Sequence, residues 1–292
     1  MFDHLLVPTD GNGPAAAALE LAIKIASASA TIHLLYVSEN GDGDENGGDH
    51  LEASERTGNA ILADARELAT VAETPVISEV QRGEPKERIL EYAATHDVEI
   101  IVMGSHGRRR VGRLALGNET QEVVRDAFVP VLVVRASDDV RRIYPYDRVL
   151  VPTDGSDHAN AALNLGIEAA AETGATLHLL SVVSVTRYGT DDETDRLIDH
   201  LKENVRTILE SAAAKVGEEG IDVRTATTVG TVHREISAYA EAEGIDLLVM
   251  GTHGRSEVDR ELLGSVTERV LRTAPAPVLT VRSPEVNERT LK

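Results

Sequence analysis

HLLVPTDG (His4–Gly11) is an unbroken apolar run that stops at a proline and turns on Thr-Asp-Gly. The same pattern stands again as RVLVPTDG (Arg148–Gly155), 144 residues further on. A short apolar run without polar alternation reads as a strand covered on both faces. Three more blocks repeat in the same order. ATIHLLYV (Ala30–Val37) returns as ATLHLLSV (Ala175–Val182), offset 145. EIIVMGSHGR (Glu99–Arg108) returns as DLLVMGTHGR (Asp246–Arg255), and VPVLVVR (Val129–Arg135) as APVLTVR (Ala276–Arg282), both at offset 147. A repeat this long is a whole domain rather than a solenoid unit. The polar segment ASDDVRRIYPY (Ala136–Tyr146) separates the copies, so domains are expected over 1–138 and 145–292.

Within each copy, short Val/Ile/Leu runs alternate with longer Ala-rich amphipathic stretches. In the second copy the strands are expected at Arg148–Val151, Thr176–Val182, Asp222–Thr227, Asp246–Met250 and Val278–Val281. The helices are expected at His158–Glu172, Glu193–Val216, Val232–Glu243 and Val266–Thr273, and the first copy follows the same order. Strands separated by helices are βαβ units, whose crossovers give a parallel sheet with helices on both faces. The predicted fold class is therefore α/β, two tandem doubly wound domains. Ligands of such sheets sit beyond the carboxyl ends of the strands, where strand order reverses.

Composition narrows the function. The 292 residues carry 29 Lys plus Arg against 49 Asp plus Glu, a formal charge of −20. That is a poor footprint for nucleic acid or an anionic membrane, both of which are met by clustered cations. Only 5 of the cations are lysine, and aromatic residues make up 3% of the chain. An acidic, lysine-poor, aromatic-poor chain looks adapted to high salt, where surface carboxylates are strongly screened. There is no cysteine, so disulfides and thiolate chemistry are excluded. No apolar run has the length of a membrane span, and Met1–Pro8 has no signal-peptide pattern. A soluble cytoplasmic protein is expected.

The residues that can meet a ligand follow the first and fourth strands. GTHG (Gly251–Gly254) is followed after nine residues by Gly264-Ser265, just before an apolar-periodic helix. Glycines let backbone come close to a ligand, and a helix N-terminus favours an anion. Ser265-x-x-Glu268 also reads as a capping box, and a cap and an anion site use the same helix end.

With the Pro-x-Asp-Gly-Ser turn, this segment resembles the ATP-binding branch of the universal stress protein family. GTHGRSEVDRELLGSVTERV (Gly251–Val270) is similar to the family signature over its full length, and the likeness covers nearly the whole chain as two tandem domains. The resemblance implies five-stranded parallel sheets in the order 3-2-1-4-5. It also implies an intramolecular pseudo-dimer through the last strands, with further homo-oligomers left open. Val131–Val134 and Val278–Val281 would otherwise be bare apolar edges.

The resemblance also implies an ATP site in the second half. Pro152, Thr153 and Asp154 would lie at the nucleoside end, and Val182 would offer backbone groups to adenine. Met250 and Gly251 would line the ribose and phosphate path. Gly254, Gly264, Ser265, Val266 and Thr267 would cradle phosphates. A carboxylate such as Asp154 suits hydroxyl donors, or Mg²⁺ bridging to phosphate; it also reads as the residue opening an Asx-turn. The matching positions of the first half are Pro8, Thr9, Asp10, Val37, Met103, Gly104, Gly107, Gly117 and Asn118. There Asn118 replaces serine, and Glu119 stands where the second half has Val266. A carboxylate at that point repels phosphate, and Arg108–Arg110 could offset it.

Rival motifs are weaker. Gly11-x-Gly13-x-x-Ala16 with Glu39 imitates a dinucleotide fingerprint, but the second half lacks it. Asp42-x-Asp44-x-Asn46-Gly47 opens like a calcium loop whose twelfth position is Ala53, and Glu39–His50 reads rather as an acidic loop. His106 and His253 read as hydrogen-bonded loop histidines. No catalytic or metal-ligand cluster is evident. The expected function is an ATP-binding stress regulator with at most slow hydrolysis; the alternative is a nucleotide-independent scaffold.

Overall fold

The structure is a computed structural model that describes residues 2–38, 47–106, 116–137, 139–184, 192–254 and 262–283. Contacts divide the chain into Met1–Asp138 and Asp139–Lys292. The first unit runs β1 (Phe2–Pro8), α1 (Gly13–Ile25), β2 (Ala26–Ser38), α2 (Gly47–Val71), β3 (Val76–Arg82), α3 (Pro85–Thr95), β4 (Ile100–Gly104), α4 (Asn118–Asp126) and β5 (Val131–Val134). The second runs β6 (Arg148–Pro152), α5 (Asp157–Thr173), β7 (Thr176–Ser184), α6 (Asp192–Glu218), β8 (Val223–Gly230), α7 (Val232–Ala242), β9 (Leu247–Gly251), α8 (Ser265–Thr273) and β10 (Val278–Val281).

Within the first unit the hydrogen-bonded order is β3-β2-β1-β4-β5, and within the second it is β8-β7-β6-β9-β10. Each neighbouring pair within a unit is parallel. Leu5, Leu6 and Val7 are fully buried in succession, as are Val149, Leu150 and Val151. Side chains on both faces are therefore covered, as the unbroken apolar runs require. Gly47–His50 are helical, so the acidic stretch is not loop throughout; Glu39–Asn46, which hold most of the calcium-like motif, lie outside the described residues.

The helices that follow β1 and β6 start alike and end differently. Asn12 caps α1 by accepting from the Ala15 amide, and Ser156 caps α5 by accepting from that of Ala159. Helix α5 ends on Gly174 in the left-handed region, at φ 73°. Helix α1 has no such glycine; Ala26 is already extended, and β2 starts there with a register shift against β1 between Phe2 and His4.

Two tethers recur in both units. His33 Nδ1 and the Tyr92 hydroxyl are 3.0 Å apart, joining β2 to α3; His178 Nδ1 and the Tyr239 hydroxyl, 2.9 Å apart, join β7 to α7. The second tether is an acid at the foot of the fourth strand. Glu99 accepts from the amides of Asp3 and His4. Asp246 is fully buried and accepts from the amides of Asp147 and Arg148 on Oδ2. Its Oδ1 accepts from Arg141 Nε and Nη2 at 3.1 and 3.0 Å. The Arg141 amide also donates to the Pro275 carbonyl, so this part of the connecting segment is built into the second unit.

Among the described residues no helix is long and apolar enough to cross a membrane, and no group of three or more His, Asp or Glu is placed to hold a metal ion. Removing a buried acceptor strands its donors. Asp246→Ala is expected to lower unfolding free energy by about 2–4 kcal/mol in urea titrations. Glu99→Ala, whose carboxylate is exposed and whose amides water can reach, should cost clearly less.

Candidate functional site

A cavity of about 580 Å³ lies in the first unit, where the carboxyl ends of β1, β2 and β4 meet the starts of α3 and α4. This is the switch point of the doubly wound sheet, because successive helices leave β1 and β4 in opposite directions. Pro8, Thr9 and Asp10 line it from β1, Val37 from β2, Met103 and Gly104 from β4, and Gly117 and Asn118 from the start of α4. These sequence-predicted residues therefore share one cavity; Gly107 and Arg108–Arg110 lie outside the described residues.

Other lining residues were not chosen from sequence: Leu35, Tyr36, Ser54, Pro85, Ile89 and Thr120 among them. The signal for the α3 side was available. Gly83, at φ 137°, and Gly230 are 147 residues apart, as are Ile89 and Ile236, so RGEPKERI and GTVHREI form a fifth repeated block.

The turns after the first strands have the same construction. The Asn12 amide donates to Asp10 Oδ1 and the Gly11 amide to Thr9 Oγ1. The Ser156 amide donates to Asp154 Oδ1 and the Gly155 amide to Thr153 Oγ1. Gly11 and Gly155 both sit at φ 77°, which favours glycine. Asp10 and Asp154 are thus Asx-turn residues first, with Oδ1 committed to backbone. Asp154 Oδ2 faces the glycine loop, since a Cβ placed on Gly254 would lie 2.8 Å from it.

The last helices are held by two hydrogen bonds in each unit. The Gly117 amide donates to the Ser105 carbonyl at 2.8 Å, and Thr120 Oγ1 donates to the Gly104 carbonyl at 2.9 Å. The Gly264 amide donates to the Thr252 carbonyl at 3.0 Å, and Thr267 Oγ1 donates to the Gly251 carbonyl at 2.9 Å. This corrects one expectation. The N-cap of α8 is Gly264, not Ser265, so the Ser265/Glu268 capping box does not form; Ser265 is the first helical residue and Glu268 pairs with Arg272. The buried Thr267 hydroxyl anchors the helix, which leaves its backbone as the part that could meet a ligand. Asn118 is likewise the first helical residue of α4, behind the Gly117 cap. Neither glycine cap offers a side chain to the first-turn amides, which an α-helix cannot pair internally.

Glycines at these joints have steric reasons. A Cβ on Gly264 would be 2.7 Å from the Thr252 carbonyl oxygen, and one on Gly104 2.7 Å from Pro14 at the start of α1. A Cβ on Gly251 would be 2.6 Å from the His158 Cβ and 2.8 Å from its backbone. Met250 is buried beside it, and Val182 is half-buried on β7.

The loop histidines are hydrogen-bonded, as expected. His106 Nδ1 lies 3.0 Å from Ser105 Oγ, and its carbonyl accepts from Asn12 Nδ2. His253 Nε2 donates to the Leu262 carbonyl at 2.7 Å, with Nδ1 3.1 Å from Thr252 Oγ1. His158 accepts the Ser283 amide on Nδ1. Burial, then the charges of His253 and Arg282, push the His158 imidazole down to about 4.

Each unit is thus a doubly wound α/β domain in which a glycine-capped helix end meets the sheet's switch point, the architecture of a tandem α/β protein. The chain belongs to the universal stress protein family, which matches it twice, over residues 1–135 and 145–282. A universal stress protein of Methanocaldococcus jannaschii is 34% identical over 143 residues, covering 48% of this chain and 84% of the relative. One of Bacillus subtilis is 32% identical over 147 residues, covering 47% and 99%. One of Mycobacterium bovis is 29% identical over 236 residues, covering 78% of each. The crystal structure of a universal stress protein from Archaeoglobus fulgidus superposes with a TM-score of 0.72 at 24% identity and covers 96% of each chain, a likeness of fold.

Two outcomes test this geometry. Gly251→Ala forces the start of α5 off β9 and should cost about 1–3 kcal/mol of stability in denaturant titrations. His158 gives a pH signature. Above pH 6.5 the group is neutral folded and unfolded; as pH falls from 6.5 towards 4 only the unfolded chain takes up its proton, so stability is lost through that window. His158→Asn keeps an acceptor for Ser283 and removes the titration, so its loss of unfolding free energy over the same window should be smaller. Parallel curves would contradict the assignment.

Proposed function

We propose that the chain binds adenine nucleotide at the carboxyl ends of its strands, ATP in the second half foremost, and acts as a nucleotide-dependent stress regulator. The observation that carries this reading is the glycine-capped helix end placed at the switch-point crevice. Its first-turn amides and the positive end of the helix dipole suit phosphate oxygens. The adenine identity rests on the resemblance of Gly251–Val270 to the ATP-binding branch of the family. Gly254, Gly264, Ser265 and Val266 would hold phosphates through backbone groups, with the Ser265 hydroxyl adding a donor. Pro152, Thr153, Val182, Met250 and Gly251 would line the nucleoside side. The first-half residues lining the cavity would play the same parts.

Asp154, with Oδ2 towards Gly254, is the carboxylate that would meet Mg²⁺ accompanying the phosphates. The sequence offers no evident general base for a terminal phosphate, so on this reading hydrolysis would be slow and occupancy itself the signal. A cytoplasmic protein fits this role.

ATP well above its Kd should raise apparent stability, by about 2.7 kcal/mol at a hundredfold excess. Thermal unfolding of the full chain with millimolar ATP, at low and high salt, checks this; an unchanged midpoint at both refutes it. Ser265→Pro removes one first-turn amide and the hydroxyl while remaining compatible with a helix start. It should weaken ATP about tenfold by loss of a charge-assisted hydrogen bond and leave the unliganded midpoint nearly unchanged.

A further inference from the structure

We infer that the first-half cavity selects adenine ligands of low phosphate charge, nucleoside or 5′-monophosphate, over the triphosphate, and that Glu119 on the first turn of α4 sets this preference. The inference rests on the adenine reading above and specifies the ligand of one of the two halves.

Glu119 is the second residue of α4 and lines the cavity beside Gly117 and Asn118. A carboxylate at that place already answers the positive helix end, which would otherwise be turned towards an incoming anion. Asp10 lines the same cavity from the end of β1, while no lysine or arginine is among the described lining residues. Each phosphate added to a ligand brings like charge towards Glu119, a carboxylate for which the second half has Val266, whereas Asp10 has its counterpart in Asp154. The second half is built the other way. Its second helical residue is Val266, and its first-turn acid, Glu268, is paired with Arg272.

The remainder of the first-half cavity suits the uncharged part of a nucleotide. Val37, Ile89 and Met103 supply apolar surface with Tyr36 beside them. A flat base fits such a wall, and sugar hydroxyls can donate to a carboxylate. The volume of about 580 Å³ is ample for a small ligand.

The chain contains no tryptophan, so Tyr36→Trp in the full-length protein places a single fluorophore in this cavity and none in the second half. Adenosine, AMP and ATP are titrated against it in the presence of a chelator. Adenosine and AMP should bind at least tenfold tighter than ATP. Adding Glu119→Val, the second half's residue, should tighten ATP about tenfold and leave adenosine within twofold. ATP binding as tightly as AMP, or an ATP-to-adenosine ratio unmoved by Glu119→Val, overturns the inference while adenine binding stands. Should Tyr36→Trp not fold, Ser54→Trp places the reporter in the same cavity from α2. Silence towards all three ligands from a folded reporter at both positions overturns the adenine reading for this half, and this inference with it.

Discussion

Two hydrogen bonds fix the last helix of each unit to the end of its fourth strand, and the crevice exists because of them. One runs from the capping glycine's amide to a loop carbonyl, the other from a threonine hydroxyl to the last strand residue. Together they point the helix axis at the switch point. The first also demands a small residue, since a Cβ on Gly264 would strike the Thr252 carbonyl, while Gly104 and Gly251 at the strand ends make room for the starts of α1 and α5. A serine or aspartate cap would satisfy the first-turn amides with its own side chain. A glycine cap satisfies the geometry and leaves those amides turned outward. Fold and ligand site are thus one constraint met by one residue type.

The two halves share that frame and differ in the charge placed on it. In the second half the Asx-turn carboxylate of Asp154 faces Gly254 across the crevice mouth, and the second residue of the helix is apolar. In the first half the second helical residue is Glu119, which lines the cavity. A helix end contributes about half an elementary charge, so a carboxylate on the same turn is enough to oppose it for an anionic ligand. On the proposed reading, a single substitution at this turn would change which adenine compound is favoured.

The fold was legible because both faces of each sheet are covered. Residues such as Leu150 and Leu179 are apolar whichever way they point, and the runs announce themselves. In the second half the expected elements match the observed ones to within about three residues at their ends, the usual uncertainty of helix and strand limits. The cavity was legible in part, for the residues carried on strand ends and glycine turns. Ser265 was misplaced because Ser-x-x-Glu signals a cap by type, whereas the Gly264 amide bond to Thr252 starts the helix one residue earlier. Thr120 and Thr267 carry no local signal, since their partners are carbonyls 16 residues away. Leu35 and Ile89 look like core residues in sequence and are nearly buried here; only the path of α3 makes them a wall.

A duplicated chain supplies its own control. Where both halves build the same contact from different neighbours, the contact belongs to the fold. The histidine–tyrosine bond is of this kind, though His33 has His4 beside it and His178 Nε2 is buried with no partner. So is the acid at the foot of the fourth strand, exposed as Glu99 and buried against Arg141 as Asp246. The Asx-turns belong there too, since Asp10 and Asp154 make the same backbone bond. That assignment removes the aspartates as the source of any difference between the sites. The halves differ at the helix starts, Asn118-Glu119 against Ser265-Val266, as they do at the lining positions Tyr36 against Ser181 and Pro85 against Val232. Positions that differ while the shared contacts stay are the ones through which, on the proposed reading, the two halves would take different ligands.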